Sequence, residues 1–261
     1  MTIAIQTVAA CAYMTSAKGQ FDALIFDMDG TMVDSMGHHA QSWAVFAQRH
    51  GLHVDLPDLM RRTTGRTGAE CMRELFQRAM PDDEAWTLIA EKEAIYRELF
   101  GPVFAEVAGF KTFCQQAQGL GFKVGVGTAG DQHNIAFVLG HLQLPQPPLA
   151  IVGGDEGLAG KPEPAIFLEV ARRMQASASG CIVFEDAPFG IEAARRAGMH
   201  AVAICTSHSA AQLAGPHVLA AASMVIRPAS SLSSRLISNN SVLSDRSRYI
   251  SGSCAPHAGK R

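Results

Sequence analysis

At 261 residues the chain is long enough for one substantial domain with a smaller one beside it. A net charge of −2 gives no reason to expect nucleic acid or an acidic membrane surface as partner, and no run approaches the roughly 18 uninterrupted apolar residues of a membrane-spanning helix. Six cysteines are scattered without paired spacing; Cys181 and Cys205 fall in apolar strand patterns and read as buried free thiols, which points to a reducing compartment, the cytoplasm.

Residues 1–19 read as an N-terminal extension. Met1 to Met14 is mildly apolar, but no basic residue precedes it and Lys18 follows, which is not the pattern of a secretory signal. A floppy extension, or a start codon placed too early, accounts for it better. The first predicted strand, Phe21 to Phe26, runs into Asp27-Met28-Asp29-Gly30-Thr31. Strand side chains alternate with period two, so Asp27 and Asp29 leave an extended backbone on the same side. Two carboxylates about 4 Å apart repel by roughly 4 kcal/mol at an effective dielectric of about 20. A divalent cation would offset that cost, as would a proton that makes one of the pair an acid. Gly30 lets the backbone turn where a ligand must approach. The competing reading is a solvated loop, because Asp-Gly is a common turn signal.

Residues 36–105 lack a strand pattern and read as a helical cap over the carboxyl edge of a sheet. Met36, His39, Ala40, Trp43 and Ala47 mark one helical face, ending before Gly51. Cys71, Leu75, Phe76 and Met80 mark a second, stopped by Pro81; Trp86, Ile89, Tyr96, Leu99 and Phe100 mark a third, stopped by Gly101-Pro102. These apolar residues read as cap core rather than substrate contacts.

Residues 20–35 and 106–228 alternate short apolar strands with amphipathic helices, the pattern of an α/β unit with a parallel sheet and right-handed crossovers. Further strands are expected at Lys123 to Gly127, Leu149 to Val152, Cys181 to Phe184 and His200 to Cys205, with an edge strand at Met224 to Arg227. Helices are expected at Phe110 to Gln118, Gln132 to Leu139, Ala165 to Met174 and Phe189 to Ala197. Polar residues recur where the strands end: Thr128, followed by Ala129-Gly130-Asp131, then Lys161 in Gly160-Lys161-Pro162-Glu163-Pro164, then Glu185-Asp186. In open α/β sheets that edge is where ligands bind. Singly, Lys161 would read as a solvated lysine and Glu185-Asp186 as an exposed loop with a helix cap. Residues 229–261 are serine-rich, basic and poor in apolar pattern, and read as a disordered tail.

Taken in order, Asp-x-Asp-Gly-Thr, Thr, Lys-Pro and Glu-Asp-x-x-x-Gly resemble the haloacid dehalogenase superfamily over roughly residues 21–227, closest to the branch of β-phosphoglucomutase and small sugar-phosphate phosphatases. The resemblance implies a Rossmann-like core with an inserted cap. It implies Asp27 as the nucleophile that takes a phosphoryl group, and Asp29 as general acid and base. That second aspartate argues against dehalogenation. Asp27, Asp186 and the backbone carbonyl of Asp29 would hold Mg²⁺, with Glu185 either a direct ligand or acting through water. Thr128, amides near Ala129 and Lys161 would bind the phosphoryl group. On the cap, His39 and Trp43 match a helix whose histidine lies near hinge and substrate in that branch. Arg66, in Thr64-Gly65-Arg66-Thr67, resembles a loop that meets the substrate's distal phosphate or sugar. Lys92 is a similar candidate, with a solvated helix charge as the competing reading.

The function implied is a Mg²⁺-dependent phosphatase acting on a small phosphorylated metabolite, working as a monomer or weak oligomer. Thr31 supports it, since mutases of this branch often carry valine there. A phosphomutase using the same aspartates is the alternative, and a non-catalytic binding protein on this fold is the third reading.

Overall fold

A strand covered on both faces needs apolar side chains at successive positions, and β1 (Ala23–Phe26) is buried at every one. The computed structural model describes residues 19–222. The expectations for residues 1–18, for a strand at 224–227 and for the tail at 229–261 lie outside the described residues. Five further strands flank β1: β2 (Lys123–Gly127), β3 (Ala150–Val152), β4 (Cys181–Glu185), β5 (His200–Ile204) and β6 (Val218–Ala222). They form one parallel sheet in the order β3-β2-β1-β4-β5-β6. Among the described residues, the strand that pairs with β5 at the sheet edge is β6. Its Val-Leu-Ala-Ala-Ala sequence is a weak strand former, so pairing beside β5 rather than propensity decides its place.

Register fixes the site. Phe26 lies opposite Val126 on one side and Phe184 on the other, so the next residues, Asp27 and Glu185, leave neighbouring strands side by side. The order of strands reverses at β1, which makes its carboxyl end the crevice of an open α/β sheet.

Strand alternation divides the core in two. Leu24 and Phe26 face α5 (Phe110–Gly119) and α6 (Gln132–Leu142), packing with Phe110, Phe113 and Val138. Ala23 and Ile25 face α7 (Ala165–Arg173) and α8 (Pro188–Arg196), packing with Phe167, Val170 and Ile191. Here α7 lies so close to β2 that a Cβ on Gly125 would sit 2.5 Å from Val170 Cγ1. Cys181 is buried as its pattern implies, whereas Cys205, just beyond β5, is only half-buried.

Within residues 36–105 run four α-helices rather than the three the periodicity suggests: α1 (Met36–Arg49), α2 (Leu56–Thr63), α3 (Gly68–Phe76) and α4 (Asp82–Phe100). The missed α2 is short and charged, but its start is written in the sequence: Asp55 caps it by accepting from the Asp58 amide, and Pro57 occupies its first turn. A Thr67–Glu70 capping box opens α3, which stops at a left-handed Gln77, short of Met80 and Pro81. Trp43, Phe46, Leu59, Met72, Leu75, Ile89 and Ile95 form a separate core inside this insertion. Tyr96 and Phe100, farther along α4, instead join the sheet-side core.

Two glycine replacements should shift stability in opposite directions. Gly125→Ala forces a methyl into Val170 and should cost about 1–3 kcal/mol. Gly140→Ala, in exposed α6 with nothing within 4 Å, should gain about 0.5–1 kcal/mol. Urea-unfolding midpoints of the two variants check both signs.

Candidate active site

Charge at the sheet edge is organised around Lys161. Its side chain is 1% exposed, yet its ammonium donates to Asp27 Oδ1 at 2.5 Å and to Glu185 Oε1 at 2.8 Å. It also lies 4.8 Å from the centre of the Phe167 ring, a face that favours a cation. Burial works against the charged lysine, but Asp27 and Glu185 hold its pKa above the ordinary value. The other Glu185 oxygen accepts from the Ala187 amide at 2.7 Å, so both its oxygens are engaged.

Asp186 is different. Its Oδ2 is buried with no hydrogen-bond partner. Burial, then Glu185, then Asp27 push its pKa well above the usual carboxylate range, with Ser207 opposing. Gly30, at φ +77°, brings the β1 loop so near that a Cβ there would overlap Asp186 Oδ2. Asp27, Glu185 and Asp186 each present an oxygen within 4.8 Å of the others. Three carboxylates against one ammonium leave two negative charges and an orphaned oxygen, which fits a hard dication. Two contacts that no motif foretold brace this edge: Thr206 Oγ1 donates to the Gly30 carbonyl, and the His208 ring meets the Asp186 carbonyl at 2.9 Å.

Asp29 belongs to another environment. Its Oδ1 accepts from Ser35 Oγ at 2.7 Å and Tyr96 Oη at 3.3 Å, and lies 3.1 Å from His39 Nε2. Ser35 sits at the N-cap of α1 but makes no cap bond, because its hydroxyl serves Asp29. Burial would raise the Asp29 pKa, but His39 and Ser35, with the Lys92 charge behind them, hold it down to about 2. By contrast, burial first, then Glu185 and Asp29, raise Asp27 to about 7 against the pull of Lys161.

A cavity between sheet edge and insertion joins these groups. Asp27, Asp29, Glu185, Asp186, Thr128 and Ala129 line its floor. The Thr128 hydroxyl accepts the Gly130 amide at 3.0 Å, which leaves its own hydrogen to donate. His39, Trp43, Arg66 and Lys92 all reach the opposite wall. Arg66 lies over the Phe189 ring with its Nε buried and unpartnered. Lys92 is not the solvated helix charge of the competing reading: it is 1% exposed, with its ammonium 4.9 Å from the Trp43 ring centre and 2.8 Å from Glu93 Oε1. Met36, Trp86 and Ile89, read as packing residues, line the wall as well.

Comparison with known proteins decides the family. The family model of haloacid dehalogenase-like hydrolases matches residues 21–198. The chain belongs to that family. Among its relatives is a validoxylamine A 7'-phosphate phosphatase of Streptomyces hygroscopicus subsp. limoneus, 32% identical over 76% of this chain and 92% of that one. Another is the fructose-1-phosphate phosphatase YqaB of Escherichia coli, 34% identical over 70% of this chain and 96% of that one. The fold is shared with β-phosphoglucomutase of Clostridium difficile, at a TM-score of 0.64 and 24% identity over 70% of this chain and 84% of that one.

Within this hydrolase fold, sequence reasoning missed Ser35, Glu93, Tyr96, Asn134, Thr206 and His208. Tyr96 was legible only as part of an apolar stripe, and the others stand in no motif. Among the described residues, no helix is long and apolar enough to cross a membrane.

The opposed states of Asp27 and Asp29 set a pH dependence for the metal-free protein. Asp27 binds its proton more tightly when folded, about 7 against 3.8, so stability falls as pH rises between those values. Asp29 binds more weakly, about 2 against 3.8, so its contribution is present above 3.8 and lost as pH falls toward 2. In EDTA, Asp186→Asn should raise the urea midpoint at pH 8, where Asp27 beside it is ionised, and change it less at pH 5, where Asp27 holds its proton. A variant less stable than the parent at pH 8 would contradict this.

Proposed function

We propose that the protein is a Mg²⁺-dependent phosphatase that hydrolyses a small sugar phosphate or related metabolite through an aspartyl-phosphate on Asp27. The observation that carries this reading is the pairing of two aspartates in opposite states on one cavity floor. Asp27 is clamped by Lys161 next to an orphaned Asp186 oxygen, and Asp29 is ringed by donors. The phosphatase names of the validoxylamine and fructose 1-phosphate relatives support it.

An Asp27 oxygen attacks phosphorus, the bond from phosphorus to the ester oxygen breaks, and that oxygen leaves with a proton from Asp29. Asp29 rests ionised, and the negative charge of an arriving phosphoryl group favours the proton it must carry. Water then attacks the phosphorus, Asp29 takes its proton, and the bond to Asp27 breaks, releasing phosphate. Lys161 offsets charge on Asp27 throughout, while the Thr128 hydroxyl and the amides near Ala129 bind phosphoryl oxygens. Asp27, Asp186 and the Asp29 backbone carbonyl would hold Mg²⁺; Glu185, with both oxygens engaged, orients Lys161 instead. When bound, the metal neutralises charge that develops on the phosphoryl oxygens. Residues 36–105 act as the cap, with Trp43, His39, Arg66 and Lys92 facing the part of the substrate that leaves.

Asp27→Asn should abolish Mg²⁺-dependent turnover of p-nitrophenyl phosphate with the circular dichroism unchanged; near-normal activity would remove Asp27 from its role. Asp29→Asn should slow a sugar phosphate by about 10²–10⁴ and the activated aryl ester far less in its first step. Equal losses on both would sink the acid assignment. Incubation with β-glucose 1-phosphate and a bisphosphate primer should release free phosphate; conversion to glucose 6-phosphate would mean that a sugar hydroxyl, not water, attacks Asp27.

A further inference from the structure

Behind Asp29 a buried chain of polar groups runs from α1 through α4 into α6. Lys92 Nζ lies 2.8 Å from His39 Nδ1 and 2.8 Å from Glu93 Oε1. The second Glu93 oxygen accepts from Asn134 Nδ2 at 2.7 Å, and Asn134 Oδ1 accepts from Arg97 at 2.7 Å. Asn134 is itself fixed in the first turn of α6, where its amide donates to the Asp131 cap. Lys92 and Asn134 are each 1% exposed, and Glu93 is 9% exposed.

Donor chemistry gives this chain a direction. An ammonium has hydrogens to give and no lone pair, so Lys92 must donate to His39 Nδ1. The ring then keeps its one hydrogen on Nε2, the nitrogen facing Asp29 Oδ1. Stacking on Tyr96, with centroids 3.8 Å apart, sets the plane of the ring. The ammonium is held by an anionic partner at 2.8 Å. Glu93 is that partner, and its other oxygen is tied across the seam to α6. Were Lys92 to lose its place, His39 could reverse its tautomer and present a lone pair to Asp29.

We propose that Glu93, tied to Asn134 and through it to Arg97, is a positioning residue that by way of Lys92 keeps the His39 ring hydrogen on Nε2, 3.1 Å from Asp29 Oδ1. The proposal rests on the reading of Asp29 as the acid and base of a phosphatase only for its kinetic consequence. The ring state of His39 follows from the contacts alone. Docking of α4 on α6 is thereby felt at Asp29, across four side chains.

Two variants test it in the full-length protein. Glu93→Gln keeps the shape and removes the charge, and Arg97→Ala removes the half-buried far end. Long-range ¹H–¹⁵N spectra of histidine-labelled protein, with His39 identified by its loss in His39→Gln, should show one Nε2–H tautomer in the parent. In Glu93→Gln it should become a mixture, with a smaller shift in Arg97→Ala. A His39 signature unchanged in both variants overturns the proposal, whatever the protein's activity. Kinetically, Glu93→Gln should lower kcat on a sugar phosphate about tenfold, a part of what a positioned acid–base group contributes, with KM within about twofold. In the Asp29→Asn background the same change should cost nothing further. A tenfold loss in both backgrounds would mean a merely structural role and also overturn it. If the parent cleaved no phosphate ester yet the His39 signature changed as expected, the phosphatase reading would fall and the positioning role would stand.

Discussion

One buried ammonium makes the sheet edge possible. Asp27, Glu185 and Asp186 converge because the ends of β1 and β4 lie in register. Left alone, such a group would neutralise itself by taking protons. Lys161 lies between two of the three, which confines the unmet charge to Asp186 and the outer side of Asp27. The lysine therefore decides where a cation is wanted. It also ties Glu185, whose second oxygen accepts from the Ala187 amide, into the frame.

The same fold puts two aspartates, two residues apart, into opposite conditions. The difference is not in their burial, since both are covered. It lies in what faces them. Asp27 looks toward carboxylates, and Asp29 toward a hydroxyl, a phenol and an imidazole backed by Lys92. Groups whose environments push their pKa values apart are suited to separate chemical roles. Here the insertion supplies the second environment, since His39 and Tyr96 come from α1 and α4.

How much of this was legible follows from the range of the interactions. Asp27, Thr128 and Asp186 could be placed because each ends an apolar run, and strand ends of one parallel sheet share an edge. Lys161 could be placed only in their company. Lys92 was a candidate through the resemblance alone: on an amphipathic helix a lysine ordinarily points to water, and its buried contact with His39 lies 53 positions away. Tyr96 was visible as an apolar ring but not as a hydroxyl 67 positions from the carboxylate it meets. The edge strand at Val218–Ala222 has little local pattern and is held by pairing with β5, whereas the short helix at Leu56–Thr63 did carry a local start signal in Asp55 and Pro57. Periodicity reports which face of an element is covered. It does not report by what.

The distribution of apolar residues along α4 bears on how the cavity opens. Ile89 and Ile95 pack inside the insertion, while Tyr96 and Phe100, both fully buried, pack in the core on the sheet. A motion that lifted the whole of α4 from the sheet would expose two large aromatic side chains, at about 1.5–3 kcal/mol each. It would also strip Asp29 of the Tyr96 hydroxyl and the ring stacked on His39. Packing thus holds α4 against the sheet. Apolar cover is thinner elsewhere on the cavity wall. The loop Thr64-Gly65-Arg66 is such a place: it is only partly buried, with Gly65 left-handed at φ +91° and an arginine nitrogen still lacking a partner. A substrate anion that met Arg66 there would supply that missing contact, adding polar closure at the rim to the apolar closure that α4 already provides.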